Sequence, residues 1–131
     1  MPAMKYLCLV YYDENIINNM SASDWKALNR ECEACGQGLH ESGKMLGGNA
    51  LHPTTTATSL RIRDGKTLIT DGPFAETKEQ LAGFYLLDAR DLNEAIQLAS
   101  KIPPARLGTI EIRPIRELDP EKDERFVQQF A

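Results

Sequence analysis

Two side chains in this sequence are suited to moving a proton near neutral pH, the carboxylate of Asp71 and the imidazole of His52. Asp71 opens the tight turn Asp71-Gly72-Pro73-Phe74. There it reads either as a general base or ligand acceptor or, the reading that turn physics favours, as a turn-starting Asp that bonds the backbone N–H groups after it. His52 precedes Pro53, which biases it to an extended loop, where it reads as a proton shuttle beside a pocket or as a surface histidine. Tyr11 and Arg61 add a phenol and a guanidinium able to hold a polar or anionic ligand. Phe74 is placed by the turn either against that ligand or as a plug in the core. Glu76, Lys78 and Glu79 line the same stretch as a charged connector, the usual form of a solvated face. Such groups suit a lyase- or isomerase-like proton transfer that needs no cofactor.

The remaining candidates have simpler explanations. Cys32-Glu33-Ala34-Cys35 matches C-x-x-C, yet a redox pair belongs at a helix start after a strand, and zinc needs a second ligand pair. These cysteines fall mid-helix on an apolar stripe, so we expect core packing, with no metal and no disulfide. His40 sits near a helix C-terminus, where the dipole favours it without further role. There is no glycine-rich phosphate loop, no nucleophile elbow and no metal-spaced cluster, and no cofactor is expected.

The elements that must position these groups follow from periodicity. Residues 5–12 (KYLCLVYY) read as a strand. A helix capped by Ser21 or Ser23 follows, with Trp25, Leu28, Cys32, Cys35 and Leu39 on one face at spacings of 3, 4, 3 and 4, and Gly43 ends it. Residues 44–51 form a second strand, weakened by Gly47 and Gly48. Asp64-Gly65 predicts a two-residue hairpin turn joining 58–63 to 66–70 and pairing Leu60 with Ile69. A strand over 83–89, a helix capped by Asp91 with Leu92, Ala95, Ile96 and Ala99 on one face, and a strand over 109–115 complete the order. Asp119 and Pro120 then start a short docked helical tail with Phe126, Val127 and Phe130.

This order of two strand-helix-strand halves predicts an α+β, ferredoxin-like antiparallel sheet with helices on one face. The strands expected at its centre are apolar on both faces: Tyr6, Cys8 and Val10 oppose Leu7, Leu9 and Tyr11, and Phe84 and Leu86 oppose Tyr85 and Leu87. Two helices cover one face only, so a homodimer packed sheet to sheet is expected to cover the other.

Bulk composition agrees with one domain over residues 1–118 plus the tail over 119–131. The 131 residues are 42% hydrophobic and 26% charged, with 15 basic against 19 acidic side chains and a net charge of −4. A mildly acidic chain has no broad attraction for nucleic acid or anionic lipid. No run approaches the roughly 20 apolar residues of a membrane span. Residues 1–10 read as strand and not as a signal peptide. Three cysteines make no disulfide framework and point to the cytoplasm.

The stretch 71–84, DGPFAETKEQLAGF, resembles the signature of the YCII-related family in its DGPF-motif branch. The opening KYLCLVYY, the Leu-Arg-Ile-Arg strand, the Asp91-Leu92 helix start and the closing IEIRP agree with it. The resemblance implies a dimeric α+β barrel of two facing ferredoxin-like sheets. It also implies, for some members, a His–Asp pair in a pocket, which has no residue-by-residue counterpart here. Genes of that branch often accompany or fuse to those of alternative sigma factors. Two readings follow: a small-molecule enzyme or binding protein with a pocket near the Asp71 turn, or a non-catalytic regulatory partner linked to such a sigma factor.

Overall fold

A computed structural model describes residues 4–116, Leu118 and Glu121. The tail expected from Asp119 and Pro120 to Phe126, Val127 and Phe130 lies outside the described residues. Alternating apolar residues make β1 (Met4–Tyr12), β5 (Gln80–Ala89) and β6 (Thr109–Pro114), and β2 (Met45–Ala50) joins them in one antiparallel sheet of order β2-β5-β1-β6. The two strands with apolar residues on both faces thus hold the centre. This is the ferredoxin-like α+β arrangement that the element order predicts.

The helices α2 (Ala22–Glu41) and α3 (Leu92–Ala99) cover one face. Ser21 caps α2 by accepting from the Asp24 N–H at 3.1 Å, and Asp91 caps α3 by accepting from the Glu94 N–H at 2.9 Å. The buried core joins Tyr6, Cys8 and Val10 of β1 to Leu87 and Ala89 of β5, with Leu39, Ala95, Leu98, Ala99 and Ile102 above them. Leu28 of α2 is also buried, Cys32 and Cys35 are half-buried, and Trp25 is 37% exposed at the end of the stripe.

On α3 the stripe is rotated from its expected position. Ala95, Leu98 and Ala99 are buried, whereas Leu92 and Ile96 are 50% and 47% exposed. Small alanines at the contact let the helix approach the sheet closely, which turns the bulkier pair to its flank. A further helix, α1 (Glu14–Asn18), was not expected. Asp13 caps it, and the Glu14 carboxylate accepts from the Thr54 N–H at 2.9 Å and from the Thr54 hydroxyl, tying α1 to the turn after His52.

Strands β3 (Thr58–Arg63) and β4 (Lys66–Asp71) form a separate hairpin, with Leu60 opposite Ile69 as expected. Asp64 and Gly65 have φ of 51° and 74°, the positive angles of its two-residue turn. Phe74 corrects one expectation. It is 81% exposed and plugs no core, because the hairpin foot carries it away from the sheet.

Candidate ligand-binding groove

The side chains first considered for chemistry are spread over three places. Asp71 ends β4, Arg61 lies on β3, and both are exposed. No hydrogen bond reaches the Asp71 carboxylate among the described residues. The N–H of Gly72 donates to the Ala57 carbonyl at 2.7 Å, which ties the start of this turn to the foot of β3. Tyr11 lies on the helix-free face of the sheet, paired across from Leu81 and Thr109, with its hydroxyl beside the Glu111 carboxylate. His52 is exposed, 19 positions before Asp71 in the chain, and it alone of the five borders a groove.

A concavity opens between α2 and the β2–β5 side of the sheet, with a volume of about 750 Å³. That falls in the range of small-molecule sites, about 300–1,000 Å³. Its walls are Leu28, Cys32 and Gly36 of α2, Met45, Gly47 and Gly48 of β2, Val10 and Tyr12 of β1, and Tyr85 of β5. Glycines on both walls make the space. A Cβ on Gly48 would stand 2.7 Å from the Met45 methyl and 2.9 Å from the Phe84 carbonyl, so this position admits no side chain without movement. A second groove of about 470 Å³ adjoins it, sharing Tyr12, Trp25, Leu51 and Ala82, and carries His52 and Glu14 at its far side.

Cys32 is the polar centre of the main groove. The Tyr12 pKa is raised by burial first, then by Glu14 and lastly by Cys32. Burial first, and the neighbouring thiols second, push the Tyr85 hydroxyl up to about 12. Burial likewise raises Cys32, with Cys35 and Glu31 adding to it, and raises Cys35. All three groups stay protonated at neutral pH, so the groove offers hydrogen-bond donors and no thiolate nucleophile. His40 and Glu33 border its opening.

The family model of the YCII-related domain matches residues 4–119, spanning every element described above. The chain belongs to the YCII-related family. It is similar to an uncharacterized protein of Rhizobium meliloti (strain 1021), 40% identical over 114 residues that cover 86% of this chain and 92% of that protein. For this YCII-related chain, a pocket between sheet and helices was an expectation of the sequence, and the residues that line the groove between α2 and β2–β5 are what motif reading missed. Their sequence signal is the coincidence of Gly36 inside a helix with Gly47 and Gly48 inside a strand, places where glycine costs stability and marks a close approach or a space.

Proposed function

We propose that this YCII-related protein binds a small, largely apolar molecule in the α2/β2–β5 groove and works as a homodimer. The observation that carries the first part is the groove itself, about 750 Å³ of mostly apolar wall with Tyr12, Tyr85 and Cys32 converging on it. The two phenols and the thiol donate to a carbonyl, carboxylate or ether oxygen of the ligand. The carboxylates and imidazoles of the lining are Glu33 and His40 on the main groove and Glu14 and His52 on the adjoining one. A ligand with an apolar body and a polar end fits that distribution.

The dimer reading rests on the other face of the sheet. The register places Leu7, Leu9 and Tyr11 beside Leu86, Phe84 and Leu81, all half-buried with no helix above them among the described residues. Lys5, Asp88, Glu111 and Arg113 surround this centre on the same face. An apolar centre with a charged rim is the composition of a protein interface. Three free thiols suit a reducing compartment, and we place the protein in the cytoplasm.

A thermal-shift screen of small aromatic and aliphatic acids, ketones and alcohols tests the binding reading. A ligand at about 100 times its Kd adds about 2.7 kcal/mol, a shift of several degrees for a chain of this size. The shift should vanish in Gly36→Leu, which fills the groove, and persist in Asp71→Asn. Stabilising compounds that act equally on both variants would place their site elsewhere.

A further inference from the structure

The β3–β4 hairpin has more apolar surface than its surroundings use. Leu60, Ile62 and Ile69 share one face and are 61%, 61% and 66% exposed. Leu68, on the other face, is 48% exposed, and Phe74 beyond the foot is 81% exposed. No strand of the main sheet pairs with the hairpin. It is held at its base by the Gly72 N–H on the Ala57 carbonyl at 2.7 Å and the Ser59 hydroxyl on the Gly72 carbonyl at 2.8 Å. A two-stranded ribbon without a packed face is marginal in water, and its free edges invite pairing. Electrostatics adds to the mismatch. Arg63 stands directly opposite Lys66, with Arg61 on the same face, and like charges across a strand pair repel.

We propose that this hairpin is an arm that packs Leu60, Ile62 and Ile69 against a second copy of the chain. The proposal rests on the dimer reading above and names the element that secures the dimer. Area favours it. The five apolar side chains, spread over both faces of the hairpin and its foot, expose on the order of 500 Å², short of the roughly 800 Å² per partner of a standard interface. The half-buried sheet face is the second apolar surface of the same chain, and a two-fold dimer uses each surface twice. Charge favours it as well. Residues 58–71 carry three cations to two carboxylates, while the chain as a whole has a net charge of −4. A second copy therefore offers the acidic surface that relieves Arg63 and Lys66, whereas a nucleic acid would meet a chain of its own sign.

Sedimentation equilibrium of the full chain over nanomolar to micromolar concentrations tests this with two variants. Leu60→Lys/Ile69→Lys removes the apolar face, and the milder Ile69→Thr keeps a residue that suits a strand. Both should keep the parent's circular dichroism, because the hairpin lies outside the core. The dissociation constant should rise at least about a hundredfold in the double variant and about fivefold in Ile69→Thr. A dimeric parent whose variants dissociate at the parent's concentration overturns the arm and leaves the dimer standing. A monomeric parent overturns both. If the double variant fails to fold, Ile69→Thr alone decides.

Discussion

Burial decides what the polar side chains of this molecule can do. The Tyr85 hydroxyl, moved from 10.0 to about 12, stays protonated throughout the neutral range. Cys8, moved from 9.0 to about 11 by burial, stays a thiol. Both shifts carry a sign for stability. Each folded-state pKa lies above the unfolded one, so the unfolded chain releases the proton first as pH rises. Their contribution is complete below about pH 9 and declines through the folded values near 11 and 12. Melting temperature measured from pH 8 to pH 11.5 should therefore fall, and Tyr85→Phe should lessen the fall between pH 10 and 11.5. An equal fall in both proteins would mean that Tyr85 is not desolvated. Glu94 works in the opposite sense. The Lys44 ammonium at 3.1 Å, aided by Arg90, holds its carboxyl below the usual 4.5, so what it adds is present at neutral pH and lost in acid. Asp71 forms no such tie, and Asp71→Asn and Asp71→Ala should each change stability by less than about 0.5 kcal/mol. A larger loss in chemical denaturation would reveal a partner for its carboxylate.

At the scale of elements, the tightest approach in the fold is the turn after Pro103–Arg106. The Gly108 N–H donates to the Pro104 carbonyl at 2.9 Å, and a Cβ on Gly108 would strike the Tyr11 carbonyl and stand 2.9 Å from the Tyr12 Cα. Backbone is what it would meet, so the strands must move. Gly108→Ala should cost about 1–3 kcal/mol, read as a lower urea midpoint with unchanged slope. Gly36 is the contrast, because its Cβ would find only the Met45 sulfur at 4.0 Å. Gly36→Ala should stabilise α2 by about 0.5–1 kcal/mol. The elements were legible in the sequence for the same reason that these substitutions differ: local pattern reports local geometry. Short runs apolar on both faces marked β1 and β5, two-residue alternation marked β6, the 3-4 stripe marked α2, and Asp64-Gly65 marked the hairpin and its register. The five-residue α1 is too short to show a period, and on α3 the size of the alanines, not the count of apolar positions, set the buried face. The lining of the groove was illegible because missing side chains on separate segments make it. No motif spans Gly36, Gly47 and Gly48, and the motif-bearing turn at Asp71 borders neither groove.

For the whole molecule, one sheet separates two surfaces. The helix-covered face holds the core and opens at the β2 edge into the groove, while the other face carries no helix among the described residues. Among the described residues no helix is long and apolar enough to cross a membrane. The single tryptophan, Trp25, borders both grooves and reports directly on their contents. The most direct test of the groove as a binding site is therefore a fluorescence titration of the protein with each compound that raises its melting temperature. A saturable change in Trp25 emission, with affinity reduced at least tenfold in Gly36→Leu, is the predicted result. Stabilising compounds that leave Trp25 emission unchanged and bind Gly36→Leu as tightly as the parent would contradict it.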